Sequence, residues 1–322
     1  MASTAARPSV VPEKDLESFQ AHLSKSTRII ALLGAGVSAS SGLPTFRGAG
    51  GLWRTHAAQQ LATPEAFARD PGLVWQFYNY RRHMALNVKP NPAHYALAEL
   101  ARKKEGFITL SQNVDGLSPR AGHPASSLKL LHGSLFDVKC SDFFCKYTEV
   151  DNYTDPIVPA LAIPTTSDGD EIDPTTNSAR QARDLDISDE NVDLPELDLA
   201  HLPHCPTCKT GLLRPGVVWF GEALPVNVMD DIEEWIEKSK TIDLIMVIGT
   251  SARVYPAAAY VDQAREKGAR VAVINMDKND IPASGVYKRD WFFEGDAAKI
   301  VPELFKSVIG DITEIPDAAD RG

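Results

Sequence analysis

Five short apolar runs, at residues 29–33, 107–110, 128–131, 244–248 and 271–274, constrain the fold more than anything else in this 322-residue sequence. They are β-branched or leucine-rich and do not alternate strictly, which is the pattern of strands buried on both faces. Segments with helical signals lie between several of them, for example 92–102 after Asn91 as N-cap, and 256–267 ending at Gly268. The predicted class is α/β, a parallel sheet with helices on both faces.

Each run is followed by a polar or glycine-rich tail: GAGVSASSG, SQNVDG, HGS, GTS and NMD. In open α/β sheets the loops at the carboxyl ends of the strands line the ligand crevice, so five such tails converge on one site. The first, from Gly34, allows a tight turn and close approach of a phosphate to backbone amides at a helix start. A plain strand-to-helix turn is the alternative reading of this stretch. Its third glycine is Gly42, outside the GxGxxG spacing, and no acid lies about twenty residues on, so an ordinary dehydrogenase is disfavoured. Gln112, Asn113 and Asp115 offer amides and a carboxylate suited to sugar hydroxyls or a carboxamide, or to an Asx-type turn. His132 closes the third run and is a candidate general base near neutral pH.

The four cysteines form two pairs, CSDFFC at Cys140 and Cys145 and CPTC at Cys205 and Cys208. In a chain without a secretion signal such pairs favour metal over disulfide, and four thiolates suit a closed tetrahedral zinc site. Four ligands leave zinc no open position, so the metal is structural.

The formal net charge of −10 is local. Residues 165–201 carry eleven acids against Arg180 and Arg183, and the rest of the chain is nearly neutral. That segment is expected to be a disordered acidic insertion, and the balance gives nucleic acid no electrostatic footing. No apolar run reaches the ~18 residues of a membrane span. The N-terminus has no secretory h-region and is a poor transit peptide, which favours the cytoplasm. Nothing in the sequence indicates an oligomer.

Taken together and in order, GAGVSASSGLPTFRG, QNVD, HG, the cysteine pairs, GVVWFGE, GTS and the Asn-x-Asp after the last run resemble the sirtuins over roughly residues 20 to 305. The resemblance implies an NAD-dependent protein-lysine deacylase with a Rossmann-like domain and a small domain of zinc ribbon and helical insertion. The implied boundaries are 18–136 and 215–322 for the Rossmann-like domain, with a helical insertion about 48–95. The zinc-binding module would take 137–214, and 1–17 would be a flexible N-terminus.

Carried over by position, the resemblance puts Gly34, Ala35, Gly36, Ser38, Thr45, Phe46, Arg47 and Trp53 around NAD. Gln112, Asn113 and Asp115 would face its nicotinamide half, and Gly249, Thr250, Ser251, Asn275, Asp277 and Ala297 its adenosine half. His132 would be the catalytic base. Val218, Trp219, Phe220, Gly221 and Glu222, with Tyr255, would bind the acyl-lysine peptide, the segment after Gly216 pairing with it as an added strand. In the reaction so implied, the acyl carbonyl oxygen attacks the ribose anomeric carbon as nicotinamide leaves. His132 then takes a proton from the ribose hydroxyls, and O-acyl-ADP-ribose and free lysine result. Ser118-Pro119, and Asp277 in place of a glutamate, depart from the family pattern.

GAGGLWR at 48–54 and the Tyr-x-x-Arg of Tyr78 and Arg81, within FYNYRR, resemble the class III branch, which removes succinyl, malonyl and glutaryl groups. At i and i+3 on a helix both side chains reach one carboxylate. Helical period alone does not choose Arg81 over Arg82; the resemblance does, leaving Tyr80 and Arg82 as structural. A general deacetylase or an ADP-ribosyltransferase is the alternative within the family. A non-enzymatic zinc-ribbon module is disfavoured by His132 and NVD. Class III relatives are often mitochondrial, which keeps that compartment as an alternative to the cytoplasm.

Overall fold

The computed structural model describes residues 11–45, 52–165 and 184–312. The chain divides into two compact units, the first of Met1–Pro44, Val88–His132 and Leu224–Gly322, the second of Thr45–Asn87 and Gly133–Ala223.

The first unit is built on a six-stranded sheet. In chain order its strands are β1 (Ile29–Leu33), β2 (Phe107–Ser111), β3 (Leu128–Leu130), β4 (Leu244–Ile248), β5 (Arg270–Asn275) and β6 (Trp291–Glu294). All neighbours are parallel. The spatial order β6-β5-β4-β1-β2-β3 is that of a dinucleotide-binding Rossmann sheet, with its switch point between β1 and β4. Five strands coincide with the five apolar runs, and β6 is an addition at the sheet edge.

Alternate residues of each strand enter opposite layers, as a two-residue repeat demands. Ile29, Ala31 and Leu33 join Phe19, Leu97, Val301 and Phe305 from the helices Glu13–Lys25, Pro92–Lys103 and Ala297–Ile309. Ile30 and Leu32 join Ile232, Tyr260 and Val261 from the helices Val226–Glu237 and Ala259–Glu266 on the other face. The Asn91 side chain caps the helix Pro92–Lys103, as its sequence predicts, and the structure adds His94 as the other half of a capping box. The helix expected from 256 starts only at Ala259.

The second unit joins a helical segment to a small sheet. Its longest helix, Pro71–Asn87, buries Val74, Trp75, Tyr78, Arg82 and Ala85 along one stripe and also Phe77 and Asn79 to either side, so it is enclosed over more than one face. The three-stranded antiparallel sheet runs Thr148–Glu149, Gly133–Cys140, Leu213–Val217. The Trp75 indole N–H donates to the Leu213 carbonyl at 2.8 Å and ties helix to sheet.

Several expected boundaries change. The second unit takes 133–223 where the zinc-binding module was expected at 137–214, because the strands Gly133–Cys140 and Leu213–Val217 pair with each other and so leave the Rossmann-like domain. Residues 11–17 are not a flexible lead: Val11 is buried and the first helix begins at Glu13, because Phe19 and Leu23 have a core to enter. The helical insertion ends before 92 rather than near 95, because the helix Pro92–Lys103 buries Ala93, Ala96, Leu97 and Leu100 in the first unit. Of the acidic stretch, 166–183 lies outside the described residues, but 184–201 is ordered. The Arg54 guanidinium donates to the carbonyls of Ile187, Asp189, Glu190 and Val192, and Ile187 is buried, so one cation organises a turn that its composition marks as disordered. Among the described residues no helix is long and apolar enough to cross a membrane.

Candidate active site

In the first unit the tails after β1, β2, β4 and β5 meet at the carboxyl end of the sheet. Gly34, Gly36 and Gly249 are there because two loops touch. A Cβ on Gly34 would sit 2.5 Å from Thr250 Cβ, and one on Gly36 would sit 2.7 Å from Gly249 Cα. Gly249 itself has φ +64°, and a Cβ there would meet the Val37 amide at 2.4 Å. This differs from the expected phosphate cradle. The Gly34 and Gly36 N–H groups donate to the Ile248 and Gly249 carbonyls, and the chain continues as two short 3-10 turns, Ala35–Val37 and Ala39–Ser41, rather than an α-helix. Gly34 and Gly36 therefore lock loop to loop.

The polar residues singled out from sequence form one network around this crossing. Asn113 Nδ2 donates to the Gly34 carbonyl at 3.0 Å, Gln112 Nε2 to Thr250 Oγ1 at 3.3 Å, and Asn275 Nδ2 to the Thr250 carbonyl at 3.2 Å. The buried Ser38 hydroxyl donates to Asp115 Oδ2 at 2.7 Å. His132 Nδ1 lies 3.0 Å from the Gln112 carbonyl. A carbonyl only accepts, so the proton of neutral His132 sits on Nδ1 and Nε2 keeps its lone pair. Burial lowers the His132 pKa from its ordinary value, opposed by that backbone bond. A half-buried imidazole kept neutral with a free Nε2 is equipped to accept a proton.

Other expected positions sit less centrally. Asp277 is exposed, and its carboxylate accepts from the Asn279 amide at 2.8 Å, turning the loop after β5. Tyr255 is exposed, and Ser251 is buried. Ala297 opens the last helix behind its N-cap Asp296, whose Oδ1 accepts from Ser40 at 2.7 Å. Thr45 ends a described stretch, and Phe46 and Arg47 lie outside the described residues. His94, which nothing beyond its place three residues after the N-cap Asn91 marks in the sequence, also joins the site, fully buried with Nε2 3.5 Å from Ser38 Oγ.

In the second unit the helix Pro71–Asn87 separates its two arginines. Arg82 is fully buried and donates to the Leu135, Asn152 and Thr154 carbonyls at 2.6, 2.7 and 2.9 Å. Arg81 is half-exposed, its guanidinium carbon 5.6 Å from the Tyr78 ring centroid. Tyr80 donates to Asp186 at 3.0 Å. Tyr78 is fully buried, and its oxygen accepts the Trp219 indole N–H at 2.9 Å. Burial raises the Tyr78 pKa, against the pull of Arg81, so the phenol keeps its proton. Trp53 is buried edge-on against Phe77, its ring centroid 5.6 Å away.

After the strand Leu213–Val217 the chain passes Val218 and turns through Trp219, Phe220, Gly221 and Glu222, closed by the Glu222 amide on the Trp219 carbonyl at 3.0 Å. Phe220 is exposed, while Trp219 is buried. Burial alone would raise the Glu222 carboxyl, but Arg214 and the Trp219 amide hold it below the usual carboxylate range.

The four cysteines come together, all sulfurs within 4.8 Å of one another. The Cys140–Cys208 and Cys145–Cys205 sulfur separations are 3.7 and 3.6 Å. A tetrahedron with ~2.3 Å zinc–sulfur bonds has edges of about 3.8 Å, so the cluster fits zinc. Gly211 is required beside it: a Cβ there would lie 2.7 Å from Cys140 Sγ. The Gly211 and Thr210 donors bring the Cys208 thiol down to about 6, whereas burial pushes the Cys140 thiol up to about 12, so the four sulfurs do not share one protonation state without a cation among them.

The Sir2 family profile matches residues 34–256. An NAD-dependent protein deacylase of Candida albicans is 47% identical over 311 residues, 93% of this chain and 99% of that protein. The zebrafish (Danio rerio) NAD-dependent protein deacylase sirtuin-5, mitochondrial, is 42% identical over 298 residues, 90% of this chain and 86% of that protein. A crystal structure of a Sir2 homolog–NAD complex superposes with a TM-score of 0.69 at 34% identity, covering 94% of this chain and 96% of that one. Fold, motif order and these likenesses agree, and the chain belongs to the Sir2 family.

Proposed function

We propose that the protein is an NAD-dependent protein-lysine deacylase that removes succinyl, malonyl or glutaryl groups, with acyl-lysine proteins or peptides and NAD as its two substrates. The observation that carries the acyl preference is the division of labour on the helix Pro71–Asn87. Arg82 is consumed by backbone carbonyls, and Arg81 lies half-exposed beside a phenol whose oxygen already accepts a hydrogen bond. A guanidinium with a phenol donor suits a carboxylate-ended acyl chain.

NAD supplies the electrophilic sugar carbon. The network of Ser38, Gln112, Asn113, Asp115, Thr250 and Asn275 is the protein's means of holding it, and the Ala35 amide, with no protein partner among the described residues, adds a donor. His132, with its proton on Nδ1, accepts the proton of a sugar hydroxyl at Nε2. Cys140, Cys145, Cys205 and Cys208 hold one structural zinc, which closes the small sheet and takes no part in the chemistry.

The test is loss of the succinyl group from a succinyl-lysine peptide, followed by mass spectrometry with and without NAD. Turnover should require NAD and vanish in His132→Tyr. Turnover without NAD, or survival of activity in that variant, would refute the proposal.

A further inference from the structure

Arg214 lies in the strand Leu213–Val217 and is almost fully buried. A buried cation is costly unless paired, and both terminal nitrogens of Arg214 are paired while its Nε is not. Its Nη1 and Nη2 reach the two Glu222 oxygens at 2.5 and 2.9 Å, and Nη2 also donates to the Val217 carbonyl at 3.0 Å. Its guanidinium carbon stacks 3.3 Å from the Trp219 ring centroid. Glu222 Oε2 in turn accepts the Trp219 backbone N–H at 2.8 Å. Trp219 is thus held by its ring and by its backbone, and the other end of that indole donates to Tyr78 at 2.9 Å.

An indole N–H only donates, so the Tyr78 oxygen is the acceptor and its own hydrogen must point to a different partner. We infer that Arg214 is a positioning residue for acyl selectivity: through Glu222 and Trp219 it holds the Tyr78 phenol as a hydrogen-bond donor for an acidic acyl group. The inference rests on the acidic-acyl reading above. It adds a residue that does not itself touch the acyl chain and acts through two others.

Two variants test it. Arg214→Lys keeps the charge but loses the two-pronged pairing and the flat stacking face. Trp219→Phe keeps a ring and removes the indole donor. Each is measured as the ratio of kcat/KM for succinyl-lysine over acetyl-lysine versions of one peptide, at saturating NAD, with Tyr78 present and with Tyr78→Phe. The ratio should fall roughly three- to tenfold with Tyr78 present, the effect of one misaligned hydrogen bond, and no further in Tyr78→Phe. Equal losses on both peptides, or the same fall in both backgrounds, would overturn the inference and leave Arg214 a packing residue. If Arg214→Lys does not fold, Trp219→Phe decides by the same ratio. A parent enzyme with no succinyl preference would remove the acidic-acyl reading itself. A parent preference that both variants retain unchanged would overturn only the role of Arg214.

Discussion

Replacing Arg81 and Arg82 separately by methionine should produce two unlike failures, although the residues are adjacent. Methionine keeps the length of the side chain and removes the charge. At Arg81 the loss is one charge-assisted interaction with a bound carboxylate, worth about 1.5–3 kcal/mol, so kcat/KM for succinyl-lysine peptide should drop about ten- to a hundredfold. Acetyl-lysine has no carboxylate, and its turnover should be spared. At Arg82 the loss falls on the fold, because the Leu135, Asn152 and Thr154 carbonyls lose their donor inside the unit. Stranded buried acceptors cost about 1–3 kcal/mol each before relaxation, so Arg82→Met should lose roughly 3–5 kcal/mol of stability. Steady-state turnover of both peptides and thermal unfolding of both variants separate the cases. Equal slowing of both peptides by Arg81→Met, or a change of selectivity in Arg82→Met with Tm untouched, would contradict these separate roles.

Gly249→Ala should destabilise the first unit by roughly 3 kcal/mol or more and abolish NAD binding, measured by unfolding and calorimetry, because a left-handed residue would gain a Cβ 2.4 Å from the Val37 amide. Gly211→Ala should lower zinc below one ion per chain by elemental analysis, since the new methyl group lies 2.7 Å from Cys140 Sγ. Because burial lowers the His132 pKa, the acid limb of kcat/KM should fall below pH 6.5; a limb above 6.5 would contradict a buried neutral base. Burial also lowers His94 and His123 to about 4. The unfolded chain protonates both below about 6.5 and the folded one does not, so stability should be full above 6.5 and decline as pH falls from there through 4, by roughly 3 kcal/mol per residue. His83, raised chiefly by its bond to Asp155, contributes with the opposite sign: its stabilisation is full below 6.5 and lost as pH rises through its folded value. Unfolding curves between pH 4 and 8 measure the balance.

The sheet was legible because β1, β2, β4 and β5 are buried throughout or nearly so and therefore stand out as apolar runs. The edge strand β6 is buried only at alternate positions, and WFFE after charged residues resembles an ordinary loop exit. The site loops were visible as polar tails, but the purpose of Gly34 and Gly36 was not. Their neighbour is Gly249–Thr250, more than two hundred residues away in the chain, and only the parallel pairing of β1 with β4 brings it there. The same distance problem hid the order in 184–201, which depends on Arg54, and the difference between Arg81 and Arg82, which depends on carbonyls at 135, 152 and 154. Local period locates a face of a helix. It does not say what meets that face.

One peptide carrying acetyl-, malonyl-, succinyl- or glutaryl-lysine, incubated with NAD, with kcat/KM taken from nicotinamide release, decides whether the enzyme prefers acidic acyl groups. Nicotinamide release is expected with every acidic acyl group at rates well above those for acetyl-lysine. Equal rates across the panel, or the fastest release with acetyl-lysine, would contradict it.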